Sequence, residues 1–308
     1  MTKANRGARA YSAGATPYLY LAPAVVLFTL FIAAPRGYTP DLSLRRVQFS
    51  GLGLGKKSRT EIFVGLDNYR TAVADGEFWA GWLRVLGYAT LVLALMLGLA
   101  LVFALLLDSA RVRLARFSRI AIFLPYAVPG VVATLLWGFL YLPSLSPIHG
   151  TLRAFGFDNV DLLSPSTVMF SMVNVAIWGG TGFNMLVLYT QLRAIPRDYY
   201  EAARIDGAGE LAIALRVKVP ILAPALVLTT VFSIIATIQV FTEPMTLRPI
   251  SNAVSSTWSP LMKVYRDAFV TGDLYSAAAT SLVIAAISVV PSLLFMRLVR
   301  RQAFGEER

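Results

Sequence analysis

Few side chains in this 308-residue sequence are placed to do chemistry. The run Gly51-Leu52-Gly53-Leu54-Gly55-Lys56-Lys57-Ser58 superficially matches a phosphate-cradling loop, in which glycines let backbone N–H groups approach phosphate oxygens and a lysine reaches their charge. The spacing fails, because that pattern needs glycine where Ser50 stands and Ser or Thr where Lys57 stands, so the run reads as a flexible turn. His149 is the single histidine; with no second imidazole to share a metal it reads as a surface residue of a loop. The chain has no cysteine, which removes thiolate nucleophiles, thiolate metal sites and a disulfide framework. No nucleophile, acid–base pair or metal set stands out, so any hydrolysis linked to this chain belongs to a partner.

Two constellations remain. The first is Pro196-Arg197-Asp198-Tyr199-Tyr200-Glu201-Ala202-Ala203-Arg204-Ile205-Asp206-Gly207-Ala208-Gly209, which leads on to Val217-Lys218-Val219-Pro220. It reads as helix, glycine break, helix: Pro196 suits a helix start, Asp198 and Glu201 favour the positive end of the dipole, and Gly207 with Gly209 supplies a left-handed stop. Such an element is too charged for lipid and wants a protein groove. The second is a thin set of polar groups inside otherwise apolar segments: Asn174, Trp178 and Asn184, then Thr237 and Gln239, with Glu243 just beyond. Asn174 and Trp178 are one helical turn apart and share a face. These side chains either line a path for a hydroxyl-rich solute, whose water they would replace, or act as polar glue between helices of two associated chains.

The elements that must position them are set by composition. The chain is 56% hydrophobic and only 15% charged, against about 25% charged for an ordinary soluble domain. Six segments contain no Asp, Glu, Lys or Arg, at roughly 18–35, 85–107, 120–142, 166–191, 219–241 and 274–296. About 20 helical residues cross a hydrocarbon core, so each can span a bilayer, and lipid leaves helix as the only open-ended solution for the backbone. The expectation is an all-α integral membrane protein: a tail over 1–17, then one transmembrane domain over 18–308 with six spans. The loop over 192–218 lies between the fourth and fifth spans. Pro125 and Pro129 kink the third span and Pro291 the sixth, while Gly179, Gly180 and Gly182 loosen the fourth, as hinges or as packing sites. The first apolar block ends Ala33-Ala34-Pro35 without a small-residue cleavage pattern, so it is read as a retained helix and not a cleaved signal.

Even parity puts both termini on one side. Lys3, Arg6 and Arg9 in the tail, Arg111, Arg113, Arg116 and Arg119 after the second span, and Arg297, Arg300 and Arg301 at the end make that side cytoplasmic. The net charge of +11 sits beside apolar blocks and suits anionic lipid headgroups, not nucleic acid. The first outside loop, about 49 residues long, is rich in Gly and basic residues and suggests a small external cap. A self-sufficient secondary transporter would carry ionisable residues inside its spans and inverted repeats; the six segments hold none of the former and no repeat is visible.

The loop pattern, Glu201-Ala202-Ala203, three residues, Gly207, nine residues, then Val217-Lys218-Val219-Pro220, resembles the loop signature of permeases in bacterial ATP-binding cassette importers. Val217 and Val219 stand where Ile and Leu are usual, which keeps polarity and nearly keeps size. The resemblance extends to Tyr18-Leu19-Tyr20-Leu21-Ala22-Pro23-Ala24, Val64-Gly65-Leu66-Asp67-Asn68-Tyr69, Phe123-Leu124-Pro125 and Phe183-Asn184-Met185-Leu186, and points to the carbohydrate-uptake branch of maltose and glycerol-phosphate type. It implies a bacterial inner-membrane permease paired with a second, related permease. Two cytoplasmic ATPases would hold the ATP and Mg, an external solute-binding protein would deliver the sugar, and no cofactor would sit on this chain. Glu201, Ala202, Ala203, Arg204, Asp206, Gly207 and Pro220 would then form the element that couples to the ATPase.

Overall fold

The computed structural model describes residues 16–49, 59–109, 112, 114–144, 146–156 and 160–303, and most of that chain is helical. Lys56, Lys57 and the glycine-rich run around them lie outside the described residues, as do the basic residues of the tail and Arg111 and Arg113. The first apolar block forms one rod: α1 (Thr16–Phe28), a π turn (Thr29–Ala33) and α2 (Ala34–Ser43). A departure from the all-α expectation follows, because β1 (Arg45–Phe49) and β2 (Arg59–Phe63) pair antiparallel, with Val47 opposite Glu61. Asn68 fastens this hairpin: it is buried, and its amide donates to the carbonyls of Ser43 and Arg45 at 2.8 and 2.7 Å.

Asn68 belongs to α3 (Asp67–Ala74), which leads into the 33-residue α4 (Gly76–Asp108). Next come α5 (Ala115–Phe123), α6 (Gly130–Tyr141), α7 (Pro147–Ala154) and α8 (Val168–Ala194). The short α9 (Asp198–Ile205) stands alone after α8. A second arm then runs through α10 (Glu210–Ile213), a π turn (Ala214–Lys218), α11 (Val219–Ile221) and α12 (Ala223–Ile238). α13 (Thr242–Leu247), α14 (Pro260–Tyr265) and the 30-residue α15 (Leu274–Ala303) follow, and α15 continues through Pro291. Among the described residues four helical stretches are long and apolar enough to cross a membrane: Pro17–Ser43, Gly76–Asp108, Val168–Ala194 and Ala223–Ile250. The pair Ala115–Ala127 and Gly130–Tyr141 makes a fifth if it counts as one span.

That pair is bent by 97°, a break and not a mere kink. Pro125 tightens Leu124–Ala127 into a 3-10 turn, and Val128, which precedes Pro129, is driven out of the helical region to φ −81°, ψ 126°. Helices in lipid gain little from hydrophobicity alone, so small residues and van der Waals contact decide their approach. The seam of α4 and α8 follows that rule, with Ala100 and Ala104 packed on Met185, Leu188 and Leu192. Gly182 allows the closest approach, because a Cβ there would stand 2.7 Å from Phe123 Cα and collide with the Ile122 carbonyl. A Cβ on Gly180 would strike the Met96 sulfur. Those two glycines are packing sites, and α8 is unbroken across them. His149 is corrected from surface to interior: α7 folds back on the end of α6, leaving the imidazole 6% exposed with Nε2 3.1 Å from the Tyr141 carbonyl.

Candidate functional site

Two cavities, at different levels of the bundle, gather six of the thirteen candidate residues singled out in the sequence. The larger, of about 490 Å³, opens between α4, the break ahead of α6, α8 and α12. Its existence depends on two interruptions. The Pro125–Pro129 break removes helix from one wall, and the chain leaves helix again at Gln239–Phe241, between α12 and α13. Non-helical backbone at such a place is tolerated only where it faces protein or a water-filled cavity, and here both breaks line the cavity.

Of the six sequence candidates, Asn184, Thr237, Gln239 and Glu243 line this space. Asn184 is held by its amide donating to the Gly180 carbonyl at 3.0 Å, and Ser233 of the facing α12 donates to Asn184 Oδ1 at 3.5 Å. Thr237 is buried one turn beyond and donates to the Ser233 carbonyl. Glu243 is a correction. Counting residues places it beyond the fifth span, yet the break at Gln239 turns the chain so that Glu243, at the start of α13, lines the cavity.

Asn174 and Trp178 are not among the lining residues. They share a face of α8, as expected, but it is the face packed on α6. The Asn174 amide donates to Tyr141 Oη at 2.8 Å, and Tyr141 Oη donates to the Ser171 carbonyl at 3.0 Å. The Trp178 ring meets Trp137 edge-on with centroids 6.0 Å apart. They are polar and aromatic glue between two helices of this chain. Sequence reasoning missed the aromatic wall: Tyr126 stacks on Phe183 at 4.9 Å and 21°, both partly exposed to the cavity, with Tyr88, Phe232 and Phe241 around them. The signal was present in Phe123-Leu124-Pro125, since a proline break exposes the next side chains.

The second cavity, of about 440 Å³, lies where the ends of α4 and α8 meet α9. Here α9 ends as the sequence suggests. Asp206 caps it, Gly207 takes φ +82°, the Ala208 N–H reaches the Ala203 carbonyl at 2.9 Å, and the Gly207 N–H reaches the Arg204 carbonyl at 3.0 Å. This pair of bonds is the Schellman arrangement, which satisfies otherwise orphaned carbonyls and needs a residue without a Cβ penalty at the left-handed position. Gly209 is extended instead, at φ −73°, ψ 165°, and caps the start of α10. Pro220 is exposed within α11, and the second helix of the loop runs on through it toward α12.

The inner side of α9 is anchored by a charge pair not foreseen from sequence. Lys218 Nζ lies 2.6 Å from Asp108 Oδ2, with the two side chains 10% and 6% exposed, and 4.8 Å above the Tyr200 ring. Burial, and then the Asp108 carboxylate, raise the Tyr200 phenol above its ordinary value, with Arg193 opposing. Asp108 and Lys218 each mark the edge of an apolar block, but a contact across 110 positions leaves no local trace. The outer side of α9 is bare: Tyr199, Ala202 and Ile205, three apart, are exposed, Ile205 at 86%. Glu201 is exposed too, while Arg204 pairs with Glu210 of this chain at 3.0 Å.

Residues 96–304 match the model of a family described as binding-protein-dependent transport system inner membrane component. The chain is 32% identical over 287 residues to the sn-glycerol-3-phosphate transport system permease protein UgpA of Shigella flexneri, covering 92% of this chain and 93% of that one. The protein of the same name from Salmonella typhimurium is 31% identical over the same share. Among solved structures, a bacterial alginate ABC transporter in complex with its alginate pentasaccharide-bound periplasmic protein contains a similar chain, with a TM-score of 0.80 and 19% identity over 93% of this chain and 94% of that one. A second structure, of an ABC transporter involved in importing the acidic polysaccharide alginate, gives a TM-score of 0.79. The fold and the length of the match agree, and this chain belongs to the family of binding-protein-dependent transport system inner membrane components.

Proposed function

We propose that the chain is the transmembrane permease subunit of an ATP-driven importer, that the 490 Å³ cavity is its share of the solute path, and that α9 is the element through which an ATPase acts on it. The observation that carries the coupling role is the two-sidedness of α9. Its inner side is tied to the end of α4 and to the π turn before α11 through Asp108, Lys218 and Tyr200, while Tyr199, Ala202 and Ile205 present a bare apolar stripe ringed by Glu201 and Asp206. A short helix with three anchors at i, i+3 and i+6 suits a groove on another protein, and a rigid tie on the other side would carry its displacement into the bundle.

On this reading the solute is a sugar or polyol. Hydroxyls suit Asn184, Ser233, Thr237 and Gln239, and the Tyr126–Phe183 platform suits the apolar face of a sugar ring. Six spans complete the unit in an inner membrane, counting the bent pair as one and α15 as the last, since 30 helical residues extend about 45 Å. Both termini and α9 then face the cytoplasm. A second permease closes the path, two ATP-binding subunits hold ATP and Mg, and an external binding protein delivers the solute, a partner supported by the periplasmic protein captured with the alginate transporter. The test is reconstitution. The chain alone in vesicles moves no solute, and adding the partners and ATP gives uptake; uptake by the isolated chain driven by a proton or sodium gradient would overturn the reading.

A further inference from the structure

We infer that Glu243 makes the bundle cavity a filter against anions, so that the solute this chain passes is an uncharged polyhydroxylated molecule and not a phosphate or carboxylate ester. This deepens the importer reading and rests on it for the cavity being a solute path.

The described residues around the cavity include no Lys, Arg or His, and Glu243 is the one carboxylate among them. Glu243 forms no ion pair among the described residues, so no cation stands against its carboxyl group at short range. A phosphate ester entering such a space would leave water without a cationic fork to receive it and would meet a like charge in a poorly screened environment. The start of a helix often provides N–H groups for an anion, and α13 begins at this cavity. That position is already taken by an acidic side chain, since Glu243 itself stands in the first turn of α13. The rest of the lining is what hydroxyls and C–H faces require: Asn184, Ser233, Thr237 and Gln239 for hydrogen bonds, Tyr126 and Phe183 for stacking.

The native chain contains no cysteine, so Ala236→Cys places one thiol in this chain at the cavity wall. In the fully assembled complex its modification is followed by the mass of this chain, using cationic trimethylammonioethyl methanethiosulfonate and anionic sulfonatoethyl methanethiosulfonate. Each rate is normalised to that with a small free thiol. With Glu243 in place the cationic reagent reacts about 10-fold faster or more, and with Glu243→Gln the ratio falls to within about twofold of unity. Equal rates, a faster anionic reagent, or a ratio unchanged by Glu243→Gln would overturn the filter, as would protection from both reagents, since an open solute path must admit one. Loss of the preference in a complex that retains ATP-driven uptake would refute only the filter. Absence of that uptake with the preference intact would refute the importer reading instead.

Discussion

The two cavities of this chain are nearly equal in volume, about 490 and 440 Å³, but their charges are handled in opposite ways. Around α9 two charges are answered within the chain, Asp108 by Lys218 and Arg204 by Glu210, while Glu201 stays exposed. Inside the bundle, among the described lining residues, a single carboxylate stands without an ion pair amid aromatic and neutral polar side chains. A region that must hold one shape while force passes through it suits paired charges and a fixed helix stop. A region that must receive and release a solute cannot let its polar groups satisfy each other completely.

The largest effect expected from breaking that contrast is at Lys218. Lys218→Met leaves Asp108 buried and unpaired, a loss of about 3–5 kcal/mol that should appear as a lower thermal midpoint in detergent and faster proteolysis of the loop. Adding Asp108→Leu should restore most of the midpoint, because two apolar side chains replace a buried pair at little cost. Next comes Gly207. A Cβ there would meet nothing within 4 Å, so the penalty is purely one of backbone hand, about 1–2 kcal/mol for Gly207→Ala and less for Gly207→Asn, which tolerates that region. The same proteolysis assay should rank Ala below Asn.

In the bundle, Tyr126→Ala removes the platform beneath Phe183, and loss of a stacking contact of about 0.5–1.5 kcal/mol predicts a rise of about 2- to 10-fold in the solute concentration for half-maximal uptake by the assembled complex. The thermal midpoint should barely move, since Tyr126 is about half exposed. The smallest effect belongs to Glu210→Ala. The Arg204–Glu210 pair is about half exposed on both sides and should contribute no more than about 1 kcal/mol, so an unchanged midpoint is expected.

Much of the scaffold could be read from apolar run length, because lipid forces helix on any long uncharged segment. The Gly207 stop was legible for a similar reason: a left-handed turn has few residue types that tolerate it. What failed was depth. Glu243 lies five residues beyond Ile238, the end of α12, and a residue count placed it outside; only the break at Gln239–Phe241 turns it inward. His149 failed likewise, since the fold-back of α7 onto Tyr141 is a tertiary event with no periodic signature. The hairpin of β1 and β2 was hidden by charged residues that alternate poorly, and Asp108 with Lys218 by their separation in sequence. Asn174 and Trp178 were correctly placed on one helix face, but sequence does not say whether a face meets a cavity or a neighbouring helix.

The most direct test concerns the bare side of α9. Glu201→Lys inverts a charge beside the exposed stripe, where like-charge contact with a partner can cost several kcal/mol, and Gly207→Val strains the turn that fixes the helix. Neither residue lines the bundle cavity. ATP hydrolysis by the reconstituted complex, stimulated by solute-loaded binding protein, is measured beside the affinity of that binding protein for its solute. Stimulation should fall steeply with each substitution while the affinity stays unchanged; near-normal stimulation with both, in a fully assembled complex, would contradict the role given to α9.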